Sequence, residues 1–430
     1  MAQRAERLPY GVGRVTARWL LVVALATAVL GFGVYAYFRQ FTEGEVVTGL
    51  RDIGTMGGAT WGLYVVFVVY FVGVSFAGII LAALIRLLNL RHLKPVARIA
   101  EVSTVIALIL AALSILADVG NPVRAIVNLP RYARPGSPFF GTFTLVISGY
   151  LFSSLVYLYL DSRRDAAVCA RVPGPLQALH RVWAAGYRDT PAARERHYRV
   201  SFWLAVAIVP LLVTAHSTLG FVFGLQVARP GWRSAVQAPA FVILAGVSGL
   251  GLLILLAAIV RRVLGERERL GPEVFRWMNN FLMVLIIAYL YLVIVEVLSN
   301  VYQGAEGEVR VARELFYGHH AWLYWSSLGL LLLSFFLLAW QFFVPRYALV
   351  AGVSSGVLVN LAAIGKRYLI VVPSQVHGTL LPYGHGSYSP TWVEYGVILG
   401  LFALGTLLFA VFMKVFPIME TPAAEEEGGR

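Results

Sequence analysis

The sequence has few charged residues and a single cysteine. Of its 430 residues, 13% are Asp, Glu, Lys or Arg, whereas a soluble globular domain has roughly a quarter. Cys169 alone cannot form an intrachain disulfide, nor can it supply the thiolates that hold an iron–sulfur cluster. With 59% hydrophobic residues, this composition excludes a soluble globular enzyme and a disordered chain, and it assigns any iron–sulfur cluster to another subunit.

Apolar stretches of about 20 residues, the length that crosses a bilayer as a helix, follow one another along the chain. Charged or Pro/Gly-rich breaks divide them into ten segments, roughly 18–38, 60–86, 97–118, 139–160, 200–224, 236–260, 275–300, 319–343, 347–371 and 391–415. We therefore predict an all-α integral membrane protein with about ten transmembrane helices. The predicted parts are an N-terminal segment 1–17, a transmembrane domain 18–416 that includes a loop 161–199, and an acidic tail 417–430.

The net charge of +13 is distributed unevenly across the predicted membrane. An even number of spans puts both termini on one side, and that side carries 24 of the 35 Lys and Arg residues, against 11 on the other. By the positive-inside rule, both termini are predicted to be cytoplasmic. The charge thus needs no nucleic-acid partner, and we expect the Arg-rich loop 161–199 to contact anionic membrane lipid, with a protein docking site as the alternative.

Polar residues inside the spans are candidates for function, because an ionisable group in hydrocarbon costs about 2.5 to 3.5 kcal/mol on insertion scales. Asp118, His216 and Glu296 lie towards the outer ends of segments three, five and seven. Five further polar or aromatic residues lie near the same leaflet: Trp61, Tyr64, Gln226, Arg229 and Tyr302. Simpler roles also fit these residues: interfacial aromatics, a helix cap or an ion pair with Arg124, and hydrogen bonds between helices.

Together, an imidazole, carboxyl groups and a tyrosine at the membrane boundary suit a quinone headgroup. Its two oxygens need hydrogen-bond partners, one of which must also transfer a proton. His216 is the only histidine well inside a span, so a haem with two axial histidines is not expected, and no metal-binding motif occurs. We predict a quinol or quinone ligand, with neither haem nor an iron–sulfur cluster in this chain.

On the inner side, Glu101 lies one turn into segment three, close to Ser103 and Thr104, and Asp161 ends segment four. These residues are candidates for proton uptake from the cytoplasm. The alternative is that the acids are neutralised by Arg98 or Arg163.

Several runs of this sequence resemble the NrfD/PsrC-like family of integral membrane subunits, which includes the membrane subunit of polysulfide reductase. The runs are WGLYVVFVVYFVGVSFAG at 61–78, ARIAEVSTVIALILAALSILADVGNPVR at 97–124, HSTLGFVFGLQVARPGW at 216–232 and AYLYLVIVEVLSNVYQG at 288–304. The ending at 366–400 resembles the ten-helix branch with the HybB-type hydrogenase and DsrP-type sulfite-reduction subunits.

The resemblance implies a subunit of a respiratory complex in a prokaryotic cytoplasmic membrane. Such a subunit binds menaquinol or a related quinol near the outer face. It exchanges electrons with an extracytoplasmic ferredoxin-like iron–sulfur subunit, alongside further catalytic or cytochrome subunits. By position, Asp118, His216 and Glu296 match polar residues of the family. The chain departs from the family at Asp118, where many members have histidine, at Asn121, where they have arginine, and at Phe76, where some have a polar residue.

Two other classes of protein remain open on the sequence. A proton-coupled secondary transporter would use the same acids, and broken helices at the bilayer midplane would favour it. A purely structural membrane anchor would need no buried histidine and acid. The placement of the ionisable residues near the faces favours the quinone interpretation.

Overall fold

A computed structural model describes residues 8–50, 61–134, 136, 143–227, 229–302, 304–345, 347–376 and 388–421. The predicted N-terminal segment before residue 8, most of the acidic tail and part of the 366–400 run lie outside these residues. Ten of the described helices are long and apolar enough to cross a membrane. They are α1 (Ala17–Glu43), α2 (Leu63–Leu87), α3 (Lys94–Asp118), α5 (Phe143–Cys169), α7 (Pro191–Gly224), α8 (Gln237–Leu264), α9 (Pro272–Tyr302), α11 (Ala321–Phe343), α12 (Leu349–Val371) and α14 (Trp392–Val415). The all-α membrane fold is confirmed.

Four shorter helices connect the spans: α4 (Pro122–Tyr132), α6 (Gln177–Ala184), α10 (Glu306–Tyr317) and α13 (Pro373–Val376). The spanning helices form two groups of four, α2, α3, α5 and α7, then α8, α9, α11 and α12, which meet where α2 and α7 pack against α8. Helices α1 and α14 form a pair that packs against α3. We call the face with Tyr10 and Glu420, which are in contact, the terminal face.

The sequence of α2 explains its central position. It is apolar on all sides, and side chains around its whole circumference are buried by α3, α7, α8 and α12. By contrast, α1 leaves Leu21, Leu25 and Phe38 exposed on a face suited to lipid. Its other face meets α14 at Gly33, where a Cβ atom would lie 2.5 Å from the Cα of Gly400. Small residues here allow the two backbones to approach closely.

On the terminal face, helices α5 and α7 are longer than the apolar segments predicted from the sequence. Helix α5 continues to Cys169 and α7 already begins at Pro191, so much of the region 161–199 is helical and contains α6. Hydropathy marks where hydrocarbon ends, whereas backbone hydrogen bonds continue a helix into the polar layer. Asp161 therefore lies inside α5 rather than at its end.

Lys366 and Arg367, counted in the sequence among the loop charges of the outer side, also lie inside a helix. Both belong to α12, and they are 7% and 2% exposed. Their long side chains reach buried polar partners, which a count of charges along the chain does not reveal.

Candidate functional site

Three carboxyl groups meet at the face opposite the termini. Asp118 ends α3, Glu394 lies in the first turn of α14, and Glu45 follows α1. The carboxyl group of Asp118 has Glu45 and Glu394 as its nearest charged neighbours. We call these three residues the acidic cluster. Of the lysines and arginines that the structure describes, none forms an ion pair with it.

A hydrogen-bonded chain leads from Tyr64 into the acidic cluster. The Tyr64 hydroxyl, fully buried, donates to Oε1 of Gln40 at 2.6 Å. The Gln40 amide nitrogen donates to Oε1 of Glu45 at 3.0 Å and to the carbonyl of Ala117 at 2.8 Å. Gln40 thus ties Tyr64, Glu45 and the end of α3 together, since its amide can both accept and donate.

Glu394 is the best satisfied acid of the cluster. Its carboxylate accepts hydrogen bonds from the Tyr388 hydroxyl and from the backbone N–H groups of Gly49 and Thr391. Thr391 and Glu394 form a capping box at the start of α14. The three donors, together with the capping box, fix the position of this carboxyl group at the start of α14.

Asp118 is the least satisfied acid. Its Oδ1 is buried and has no hydrogen-bond partner among the described residues. Leaving such an atom without a partner costs about 1 to 3 kcal/mol, and more if it is charged. Burial, and then the charge of Glu394, raises the pKa of Glu45 above its ordinary value, while hydrogen bonds from Gln40 and Thr48 act in the opposite direction. The cluster can therefore take up a proton or a hydrogen-bond donor.

An open groove borders the acidic cluster. It encloses about 540 Å³ and is lined by Phe41, Gly120, Asn121, Val123, Arg124, Val127 and Asn128. Gly120 lies against Glu45, because a Cβ atom there would be 3.6 Å from Cγ of Glu45. The groove has the size of a small-molecule site, and α4 contributes both apolar and polar side chains to its wall.

Trp61 lies one turn before Tyr64, in an aromatic cluster. Its ring stacks on Trp232, with the centroids 5.8 Å apart, and meets the edge of Phe223. The amide of Gln375 exchanges hydrogen bonds with both backbone groups of Trp61. These contacts hold the start of α2 against the end of α7, the segment that follows it, and α13.

His216 lies apart from the acidic cluster, among α2, α5 and α7. Its Nδ1 is 2.9 Å from the carbonyl oxygen of Leu212 and its Nε2 is 2.8 Å from that of Val72. A neutral imidazole has one N–H, so it can donate to only one of these two acceptors. The ring of Phe76 packs against the imidazole at a centroid distance of 4.7 Å.

Glu296 lies in a third place, within the second group of helices. Its Oε1 accepts a hydrogen bond from the Gln237 amide at 3.1 Å, and the buried Lys366 is its charged neighbour. Both line a cavity of about 60 Å³ together with Ser374 and Tyr324. This volume holds a few water molecules, not a quinone ring.

The remaining predicted residues lie at the edges. Gln226 bonds back to the carbonyl of Val222, and Arg229 is half-buried. Tyr302 is 89% exposed. Of the residues predicted for one outer pocket, the structure thus brings Tyr64 and Asp118 together, places Trp61 nearby, and puts His216 and Glu296 in two other surroundings.

Near the terminal face, acids and arginines of three helices form a second buried cluster. Arg86 pairs with Asp161 at 2.7 Å, and Arg98 pairs with Asp165 at 3.0 Å and with Glu101 at 3.4 Å. We call these five residues the ion-pair cluster. His197 approaches Asp161 at 3.7 Å. Arg163, in contrast, donates to the carbonyls of Ala184 and Ala185.

Hydroxyl groups lead from the ion-pair cluster towards His216. Thr104, one turn beyond Glu101, and Tyr150 both donate to the carbonyl of Ser75, each at 2.9 Å. The Ser75 hydroxyl donates to the carbonyl of Val72, which His216 also approaches. Ser103 donates instead to the carbonyl of Ala100. These side chains from α3, α5 and α7 converge on two carbonyls of α2.

Several residues of these sites escaped the sequence reasoning. Those of the acidic cluster and its surroundings are Gln40, Glu45, Tyr388 and Glu394, and those elsewhere are Arg86, Asp165, Lys366 and Arg367. Most lie at the ends of apolar stretches, where a charge is ordinary. Only Glu394 carried a readable signal, the capping box with Thr391.

Fold and site together define a multi-pass helical membrane protein with an uncompensated acidic cluster at one face and paired charges at the other. No three His, Cys, Asp or Glu side chains in the described part of the chain are placed to hold a metal ion. Residues 52–378 match the model of a family described as polysulphide reductase, NrfD. The chain belongs to the NrfD family.

Similar proteins match this chain over nearly its whole length. A putative dimethyl sulfoxide reductase membrane subunit of Halobacterium salinarum is 30% identical over 93% of this chain and 91% of its own length. A selenate reductase subunit of Mesobacillus selenatarsenatis is 24% identical over 90% and 91%. An Hdr-like menaquinol oxidoreductase integral membrane subunit of Archaeoglobus fulgidus is 24% identical over 95% and 96%.

Proposed function

We propose that this chain is the quinol- or quinone-binding membrane subunit of a respiratory redox complex in a prokaryotic cytoplasmic membrane. The names of its relatives support this, since two are subunits of reductases and the third belongs to a menaquinol oxidoreductase. Menaquinol is the expected ligand. The terminal face is then cytoplasmic, and the acidic cluster lies at the outer face, in agreement with the distribution of Lys and Arg.

The observation that carries this proposal is the buried Oδ1 of Asp118, which has no hydrogen-bond partner among the described residues and belongs to a residue two positions before Gly120 of the groove wall. A quinol hydroxyl is a donor, and an unpaired carboxylate oxygen in a buried site is the partner that such a donor needs. The apolar wall formed by Phe41, Val123 and Val127 suits an isoprenoid tail. The donor set thus fits a quinol better than it fits a cation solute or a structural role.

In this site the residues have separate roles. Oxidation of a quinol releases two electrons and two protons. Asp118 accepts the hydrogen bond of the headgroup and takes a proton. Glu45, whose pKa burial raises, takes a proton passed through the amide of Gln40 or through water, while Tyr64 holds Gln40 in place. Glu394, held by three hydrogen-bond donors, positions Tyr388 and the start of α14 beside the other two acids.

The electrons require a partner, because one cysteine cannot ligate a cluster. We propose an extracytoplasmic ferredoxin-like iron–sulfur subunit, with further catalytic or cytochrome subunits beyond it. Tunnelling needs proximity, and the acidic cluster lies at the outer ends of α1, α3 and α14, where such a partner can dock.

A proton route from the cytoplasm is a further part of the proposal. It starts at Asp161 and Glu101 and continues along Ser103, Thr104 and Tyr150 to His216. His216 fits a relay, since its two carbonyl partners could be satisfied together only by the doubly protonated ring.

A titration with a hydroxyquinoline N-oxide, a quinol analogue, tests the quinol site. Asp118→Asn keeps the size of the side chain but cannot take the proton, and we expect about tenfold weaker binding, equivalent to about 1.4 kcal/mol. Glu296→Gln is the matched control, because its carboxyl lines a separate small cavity. Unchanged affinity in Asp118→Asn with loss in Glu296→Gln would move the site to the cavity at Glu296. Unchanged affinity in both variants would reject a carboxyl-based quinol site.

A further inference from the structure

The chain crosses the terminal face once more after its last span. Helix α14 ends at Val415, and residues Phe416–Thr421, which we call the strap, continue in non-helical conformation against the ion-pair cluster. Thr421 donates from its backbone N–H and from its hydroxyl to Oδ1 of Asp165, at 3.0 and 2.9 Å. Oδ2 of the same carboxylate binds Arg98. The strap is thus bonded directly to the cluster that it covers.

Other parts of the terminal face hold the strap in place. The carbonyl of Glu420 accepts hydrogen bonds from Arg269, between α8 and α9, and from Tyr10, each at 3.0 Å. His180 of α6 lies 2.7 Å from the carbonyl of Val415. Ile418 and Met419 have no exposed surface. The strap is therefore attached by hydrogen bonds at Glu420 and Thr421 and by the buried side chains of Ile418 and Met419.

Beneath the strap, the ion-pair cluster is incompletely satisfied. Six buried atoms have no hydrogen-bond partner within the described part of the chain: Nη1 of Arg86, Nε and Nη1 of Arg98, Oε1 and Oε2 of Glu101, and Oδ1 of Asp161. Buried polar groups of this kind are ordinarily satisfied by ordered water. Solvent water that reached these atoms would satisfy them, and we call their immediate surroundings the chamber.

The carboxyl group of Glu420 disfavours a strap that is permanently bound to the ion-pair cluster. Glu420 adds a fourth acid beside Glu101, Asp161 and Asp165, against the two guanidinium groups of Arg86 and Arg98. Burial, followed by Asp161 and Asp165, raises the pKa of Glu420. An ionised Glu420 is repelled by these acids, so its charge weakens the attachment of the strap to the cluster.

From this arrangement we infer that the strap is a removable cover, which controls access of cytoplasmic water and protons to the chamber at Glu101 and Asp161. The inference deepens the proposed function, because it assigns the control of the proposed proton route. Opening breaks the Thr421–Asp165 contacts and exposes to solvent the atoms of the cluster that lack a hydrogen bond. It leaves the acidic cluster at the other end of the molecule unchanged.

The single cysteine provides a reporter for this opening. Cys169 follows Asp165 by one turn on the same face of α5, and its thiol has Asp165 as its charged neighbour. It has no exposed surface when the strap is in place. Displacement of the strap from Asp165 would open a path for a small, membrane-impermeant thiol reagent to Cys169.

The experiment measures the rate at which a charged methanethiosulfonate modifies Cys169 in inside-out membrane vesicles, with Cys169→Ser as the blank. Thr421→Val removes the hydroxyl contact to Asp165. We expect modification about tenfold faster, because the loss of one hydrogen bond shifts the equilibrium between the closed and the open strap by about this factor. Deletion of residues 416–430 should accelerate it further. Thr406→Val, at an exposed threonine of α14, is the matched control and should react like the unaltered protein.

Equal rates in the unaltered protein and Thr421→Val would overturn the proposal, as would an equal acceleration by Thr406→Val. If the deletion variant fails to accumulate, Thr421→Val still decides. The quinol-analogue titration is repeated on the same variants and should be unchanged. Failure of the cover therefore appears in the thiol rates alone, and failure of the quinol site in the titration alone.

Discussion

The two buried clusters contain the same kind of acid but differ in their counter-charges. In the ion-pair cluster, Asp161 and Asp165 each lie within 3.0 Å of an arginine nitrogen. In the acidic cluster, Glu45 and Glu394 accept hydrogen bonds from an amide, hydroxyls and a backbone N–H group, whereas among the described residues Oδ1 of Asp118 has no partner and no cation pairs with the three acids. The carboxyl groups of the ion-pair cluster are thus paired with arginines, whereas those of the acidic cluster have only neutral hydrogen-bond donors as partners.

This difference separates two kinds of behaviour. A carboxylate bonded to arginines has its counter-charge beside it, which favours a fixed arrangement of the helices that carry the pair. A carboxyl group with acid neighbours and little water changes its protonation readily, which favours proton transfer. The comparison supports the proposed quinol site at the acidic cluster, and it indicates that the ion-pair cluster attaches α2, α3 and α5 to one another.

The largest expected effect is the loss of the central cation. Arg98→Met keeps a long apolar stem but leaves Glu101 and Asp165 without their shared counter-charge. Removing one partner of a buried ion pair costs about 3 to 5 kcal/mol. Thermal unfolding of the purified protein in detergent measures this loss. Arg124→Met, at an exposed position, is the control. Equal stability in the two variants would mean that the paired charges do not hold the helices.

A smaller effect concerns the dependence of stability on pH. Because the pKa of Glu45 is raised in the folded protein, the folded state binds more protons than the unfolded state between the ordinary value of 4.5 and the raised one. Stability contributed by this group is therefore complete below the ordinary value and falls as the pH rises through the folded pKa. Thermal melts from about pH 4.5 upwards should show this decline.

Glu45→Gln should flatten that decline in part. Glu420, whose pKa is also raised by burial, contributes with the same sign from the terminal face, so Glu420→Gln should remove a further share. Glu306→Gln is the control, since that side chain is 91% exposed. An unaltered pH profile in both Glu45→Gln and Glu420→Gln would contradict the predicted titration of these acids.

The smallest effect tests the support of the acidic cluster. Tyr64→Phe removes the hydroxyl that bonds to Gln40 and leaves a buried amide oxygen without its donor. We expect a loss of about 1 to 3 kcal/mol in stability, measured by chemical or thermal unfolding. Tyr302→Phe, at an exposed tyrosine, should be neutral. Equal effects of the two substitutions would show that the Tyr64–Gln40 bond does not support the cluster.

Residue patterns in the sequence predicted the membrane spans and individual candidate residues. They did not predict which of these residues are neighbours in the folded protein. Hydropathy placed the ends of segments three, five and seven within about two residues of the ends of α3, α7 and α9, the helices that carry Asp118, His216 and Glu296. Depth in the membrane does not specify which helices are neighbours, so these three residues, expected in one pocket, lie in three surroundings. Tyr64 and Asp118 do meet, because α2 and α3 are adjacent antiparallel helices.

What the sequence alone determined about this protein is its class: ten apolar segments specify a helical membrane protein. The physical reason is that the bilayer imposes length and hydropathy on each segment separately. Only the tertiary structure decided which charges are compensated. Glu45, Glu394, Arg86 and Asp165 lie at segment ends that look ordinary along the chain, and packing alone leaves one set of acids with arginines and the other without.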